Sequence, residues 1–170
     1  MTVSRVLLTA VLLLSAAILE VTVVNVLPLP GDGPDLVLLV LIGLSLVCGP
    51  TYGAITGFLA GLLVDLIPPI ASEVGRWALV FCLVGYLAGL VRIDARRSAL
   101  IVIATVAVLS AFAVTAFAVM GLIFGDSRVQ WDLYVETLIG TVLYDLLLTP
   151  FVLPLVMALA RRTDTAPVRV

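Results

Sequence analysis

The sequence contains no histidine and no lysine, and it has only two cysteines, Cys48 and Cys82. Histidine is the commonest metal ligand and the usual general base near neutral pH, so its absence removes the simplest routes to a metal centre or to acid–base catalysis. The cysteines stand far apart in apolar stretches, and we predict that both are small buried hydrophobic residues. The chain also lacks G-x-S-x-G, H-E-x-x-H and P-loop motifs. We therefore expect no enzymatic activity, no cofactor and no metal ion.

Charged residues are scarce as well. They make up 12% of the 170 residues, whereas 63% are hydrophobic and the mean hydropathy is +1.31. A soluble domain carries roughly twice that share of charge and fewer apolar residues. Because so much apolar surface cannot be buried in a single core, the composition predicts an integral membrane protein. The net charge of −2 provides no basic field that would attract nucleic acid.

Six apolar segments follow one another along the chain and predict six transmembrane helices. They cover residues 6–27, 36–48, 52–70, 77–91, 99–124 and 133–160. The first begins like a signal peptide, but it has no small-x-small site before Glu20 and stays apolar to Leu27, so we interpret it as a retained span. Gly49-Pro50 divides the long run from 36 to 70, because proline lacks an amide donor and disfavours helix at the residue before it. The second segment is then short for a full span. The sequence predicts an all-α integral membrane bundle over residues 1–162, followed by a short cytoplasmic tail, 163–170.

The distribution of arginine predicts the orientation of this bundle. Seven of the nine arginines lie before the first segment, between the fourth and fifth, or after the sixth: Arg5, Arg92, Arg96, Arg97, Arg161, Arg162 and Arg169. The positive-inside rule then places both the N- and the C-terminus in the cytoplasm. Trp77 and Trp131 fall at the outer ends of their segments, as expected of an interfacial aromatic belt.

The third segment contains glycine at every fourth position, and the next step of four is an acid: Gly53, Gly57, Gly61, Asp65. Small residues at this spacing share a helix face and let two helices approach closely, which is a main source of packing energy in lipid. The fourth segment carries a second pair, Gly85 and Gly89. We predict that these two glycine faces are helix-packing surfaces that meet each other.

Three acidic residues lie inside the predicted spans: Glu20, Asp65 and Asp145. A charged aspartate at the bilayer centre costs about 2.5–3.5 kcal/mol, and no arginine lies deep in any span. At ~1.5 Å per residue, Glu20 and Asp65 fall in the outer half of the membrane within reach of Arg76, so we expect a polar cluster near the outer interface. Asp145 is deeper, and it either lines a cavity or protein interface or is merely tolerated. Three acids without an intramembrane cation make a poor proton relay, and their flanks do not indicate a pair of catalytic aspartates.

The stretch PDLVLLVLIGLSLVCGPTYGAITGFLAGLLVDLIPP, followed by LVGYLAGLVR and later by YDLLLTPFVLPLV, resembles the rod-shape-determining protein MreD family. Residues 34–92 carry the specific motif, and the layout is similar over nearly the whole chain. The resemblance implies a membrane scaffold or regulator of the elongation machinery for peptidoglycan synthesis, in the bacterial cytoplasmic (inner) membrane. It also implies an MreC-like single-span partner, and association with MreB, RodA and its transpeptidase.

The family is also similar in fold to the substrate-binding subunits of energy-coupling-factor transporters, which gives an alternative function. Those subunits typically dock through an A-x-x-x-A face on the first span. Here the first span has Ala10, Ala16 and Ala17, without such a repeat, which weakens the alternative. If it applied, a ligand pocket would lie in the outer half of the bundle near Glu20 and Asp65.

Overall fold

The computed structural model describes residues 3–24, 33–67, 75–95, 98–124 and 131–162, and within these ranges it contains helices and no strand. The seven helices are α1 (Val3–Thr22), α2 (Leu36–Cys48), α3 (Pro50–Asp65), α4 (Arg76–Leu90), α5 (Arg92–Ala95), α6 (Ala99–Ile123) and α7 (Trp131–Arg162). The all-α prediction is confirmed. The six predicted segments correspond to α1–α4, α6 and α7, and the single turn α5 was not predicted.

Three of the helices, α1, α6 and most of α7, are long and apolar enough to cross a membrane. Helices α2 and α4 are also apolar but shorter. The outward faces carry large apolar side chains; Leu100 of α6 is 75% exposed and Phe151 of α7 is 76% exposed. Helices with an apolar outer surface are what a lipid environment requires, since lipid offers no polar partner.

Helix α2 is the centre of the core. All residues from Val37 to Val47 are buried, and the helix packs against α1, α3, α4 and α7. A helix that is apolar on every side is stable only when it is enclosed, and α2 follows that rule. Its bounds agree with the second predicted segment. It ends where Gly49 adopts a φ of +97°, and Pro50 begins α3 at the position where a missing amide hydrogen matters least.

Helices α3 and α4 form an antiparallel pair with their backbones in contact. A Cβ atom added at Gly53 would collide with the backbone of Gly85, one at Gly57 with the carbonyl of Phe81, and one at Gly61 with the backbone at Trp77. At the far end, Gly89 lies against Pro50 in the same way. The structure therefore places all five glycines singled out from the sequence along one contact, where a side chain would force the helices apart.

Candidate functional site

Asp65 lies at the end of α3 and binds the start of α4. Its Oδ2 accepts hydrogen bonds from the amides of Gly75 at 2.8 Å and Ala78 at 3.2 Å, and its Oδ1 accepts one from the Trp77 amide at 3.2 Å. The first amides of a helix have no partner within the helix, and its N-terminus carries a partial positive charge. The carboxylate supplies both an acceptor and a negative charge, although it is only 5% exposed.

Arg76, the first residue of α4, is also buried, at 5% exposed. Its Nε and Nη2 donate to the carbonyl oxygen of Phe117 in α6 at 3.0 and 2.6 Å. Its guanidinium carbon lies 3.8 Å from the centre of the Phe117 ring, which also stacks on Trp77. This combination of a forked donor and a flat cation over an aromatic face is specific to arginine, and it joins α4 to α6.

A second group of carboxylates surrounds the N-terminus of α2. Asp35 is the N-cap residue, and its Oδ1 accepts from the Leu38 amide at 2.7 Å. Glu20 of α1 accepts from the Val37 amide at 3.2 Å, and Asp145 of α7 accepts from the Asp35 amide at 2.9 Å. Three side chains from three parts of the chain thus converge on one helix end. We call Glu20, Asp35 and Asp145 the α2 acidic cluster.

Asp145 also connects this cluster to α6. Its Oδ2 accepts a hydrogen bond from the Ser110 hydroxyl at 2.5 Å, and both residues are completely buried. Ser110 lies near the middle of the 25-residue α6, and Asp145 near the middle of the 32-residue α7. The N-terminus of α2 therefore begins at the middle level of the two longest helices. The first amides of α2 have no partner within the helix, and these carboxylates supply acceptors for two of the amides at its start.

The chemistry of the α2 acidic cluster follows from these contacts. The helix N-terminus stabilises negative charge, while the three carboxyl groups are near enough for Asp35 to act electrostatically on the other two. Within the described residues, no set of three histidine, cysteine, aspartate or glutamate side chains has the geometry to hold a metal ion. The oxygens act as hydrogen-bond acceptors for the backbone.

The polar cluster that the sequence predicts for Glu20, Asp65 and Arg76 near the outer interface stays a prediction, but the hydrogen-bond partners of the two acids are now described. Glu20 and Asp65 bind the amides of two different helices, α2 and α4. Arg76 directly follows Gly75, whose amide donates to Asp65, and its guanidinium also donates to the Phe117 carbonyl. Asp145 lies at an internal contact of α7 with the start of α2 and with α6. The sequence reasoning missed the part played by Ser110, which no pattern marks within its apolar segment.

These features define a class of protein: an all-α membrane protein whose buried helix ends are capped by acidic side chains. The family model for "rod shape-determining protein MreD" matches residues 2–162, and the chain belongs to that family. It is a membrane protein family with a role in rod-shape determination. No curated protein and no solved structure matches the chain.

Proposed function

We propose that this protein is a non-enzymatic scaffold of the elongation machinery for peptidoglycan synthesis. In this proposal it spans the bacterial inner membrane six times, through α1, α2, α3, α4, α6 and α7, with both termini in the cytoplasm. The observation that carries the proposal is the family match over residues 2–162. The site supports it, because the oxygens of Asp65 and of the α2 acidic cluster accept hydrogen bonds from the amides at helix N-termini. These contacts stabilise the fold.

The partner in this proposal is an MreC-like protein with a single transmembrane helix. MreB, RodA and its transpeptidase would belong to the same assembly. Full-length protein co-expressed with a tagged MreC-like partner should be retained with it in mild detergent. Absence of a complex, with both proteins folded, would contradict the scaffold proposal.

Helix α1 offers a surface for the partner helix. It packs chiefly on α2 and leaves an apolar stripe exposed: Leu7, Val11, Leu14 and Ile18. The steps of four, three and four residues along this stripe are those of a two-helix seam. We infer that the partner's span lies along this stripe.

Cysteine cross-linking tests the α1 surface separately from complex formation. In a background with Cys48 and Cys82 replaced by alanine, Leu14→Cys should form a disulfide with a cysteine placed in the partner's span. Val108→Cys, on the exposed face of α6, is the matched control and should not. If the complex forms but position 108 cross-links as well as position 14, the α1 surface is wrong while the scaffold proposal stands.

The alternative function, a substrate-binding transporter subunit, requires a ligand pocket near Glu20 and Asp65. In the structure these two side chains belong to separate hydrogen-bonded groups, at α2 and at α4. That separation does not favour a shared ligand. Ligand-dependent thermal stabilisation of the purified chain by a vitamin-sized solute would reverse this preference.

A further inference from the structure

An open groove of about 560 Å³ lies between the first half of α6 and the second half of α7. Its walls are mainly apolar and include Val102, Ile103, Leu153 and Met157. The groove exists because small or short side chains stand where longer ones would fill the space. Ala99 and Ala158 lie on facing sides, and two prolines inside α7, Pro150 and Pro154, complete the wall.

One end of this groove is positively charged. Arg161, exposed near the end of α7, lines it together with Ser98, the N-cap of α6. The N-terminus of a 25-residue helix adds a partial positive charge and amide donors at the same place. The groove is therefore apolar along its length and cationic at one end. A ligand that complements it has an anionic head and an apolar tail.

We propose that this groove binds an anionic phospholipid, with one acyl chain between α6 and α7 and the phosphate beside Arg161 and the start of α6. In the orientation given by the arginine distribution, that end faces the cytoplasmic leaflet, where polybasic sites attract anionic lipid headgroups. The inference does not depend on the MreC-like partner.

The dimensions of the groove favour an acyl chain over a protein helix. The α7 residues that line it run from Thr149 to Arg161, which spans about 18 Å at 1.5 Å per residue. Spread over that length, 560 Å³ gives a cross-section of about 30 Å². A helix at least 10 Å across needs roughly 80 Å². A partner helix would have to lie outside the groove, whereas a hydrocarbon chain fits within it.

The test is lipid retention by the purified, delipidated full-length chain, measured by native mass spectrometry. Dioleoyl phosphatidylglycerol is the anionic probe, and dioleoyl phosphatidylcholine, with the same acyl chains, is the neutral one. We expect one phosphatidylglycerol per chain to be retained in preference to phosphatidylcholine. Arg161→Gln should weaken phosphatidylglycerol retention about fivefold, as expected for the loss of one cation near an anionic headgroup. It should leave phosphatidylcholine unchanged.

Matched variants separate a built site from general attraction to charge. Arg162→Gln removes the same charge from the neighbouring residue, which does not line the groove, and should change retention less than twofold. Ala158→Phe or Ala99→Phe should fill the groove and reduce retention of both lipids. Ala104→Phe, on an exposed part of α6 outside the groove, should not.

Three outcomes would overturn the proposal. The first is equal retention of the two lipids by the wild-type chain. The second is an equal effect of Arg161→Gln and Arg162→Gln on phosphatidylglycerol retention. The third is undiminished lipid retention by both single variants, Ala158→Phe and Ala99→Phe, when both fold normally. A fourth such outcome is a wild-type chain that retains neither lipid; if the groove then cross-links to a second protein, its occupant is a partner helix. A thermal unfolding curve for each variant identifies any loss that comes from misfolding.

Discussion

Asp65 and Asp145 are both almost completely buried, and both use their oxygens to accept hydrogen bonds from other parts of the chain. A buried carboxylate is usually expected to need a cation. Here the amides at the start of α2 and α4 contribute to that stabilisation, because each helix N-terminus offers donors and a partial positive charge. Burying a carboxylate alone costs free energy, and so does burying the unpaired amides of a helix N-terminus. The hydrogen bonds between them reduce both costs.

The Asp145 contact can be tested with two substitutions. Asp145→Leu leaves the Asp35 amide without its acceptor, whereas the Ser110 hydroxyl can turn to a carbonyl of its own helix. An unsatisfied buried donor costs about 1–3 kcal/mol, and we expect a lower Tm in detergent. Asp145→Asn keeps an oxygen for the Asp35 amide and should remain close to wild type.

Glu136→Leu is the control for the Asp145 variants. It removes a carboxylate from the exposed part of the same helix and should leave the Tm nearly unchanged. If Asp145→Asn lowers the Tm as much as Asp145→Leu does, the charge of Asp145 rather than its hydrogen bond to α2 is what the fold requires.

Among the secondary-structure elements, the α3–α4 pair has the tightest contact, and glycine makes it possible. Helix packing in lipid gains from close approach, since apolar side chains are equally satisfied by lipid tails. At Gly57 the facing atom is the Phe81 carbonyl, a backbone group that cannot move without its whole helix. At Gly43 in α2 the nearest facing atom is the Val156 side chain, 3.0 Å from an added Cβ.

This difference predicts that two glycine-to-alanine substitutions will have unequal effects. Both replace a helical glycine with a better helix former, so intrinsic propensity favours both by about 1 kcal/mol. Gly57→Ala should nevertheless lower the Tm, because overpacking that moves backbone costs about 1–3 kcal/mol. Gly43→Ala should have a smaller effect or a stabilising one, because the Val156 side chain can shift. Equal thermal unfolding curves for the two variants would show that the α3–α4 contact is looser than the structure indicates.

The glycine contact could be predicted from the sequence, whereas the α2 acidic cluster could not. Gly53, Gly57 and Gly61 repeat at a local spacing that fixes their common face before any partner is known. The bond between Ser110 and Asp145 joins residues in different helices, and nothing local to either one specifies it. One member of the cluster could be placed from the sequence, because Asp35 stands directly before an apolar segment, as an N-cap residue does.

At the scale of the whole molecule, the fold encloses one short apolar helix within a ring of others. The α2 N-terminus meets α6 and α7 near their middles, and α2 ends at Gly49, which lies beside Arg92 of α5. The sequence predicted the residues at which α2 begins and ends. It did not predict the level at which α2 starts within the bundle, because that level depends on Asp145 and Ser110, which lie far away in the chain.

The proposed orientation, with both termini in the cytoplasm, predicts which positions reagents can reach from each side of the membrane. Asp94 lies exposed in α5, among the arginines that predict the cytoplasmic face. Ser127 belongs to the segment between α6 and α7, which the arginine distribution places outside. In a chain with Cys48→Ala and Cys82→Ala, Ser127→Cys should react with a membrane-impermeant maleimide in intact spheroplasts. Asp94→Cys should react only after the membrane is opened. The reverse pattern would invert the protein and move the cationic end of the α6–α7 groove to the outer leaflet, and labelling of both cysteines from one side would contradict a crossing by α6.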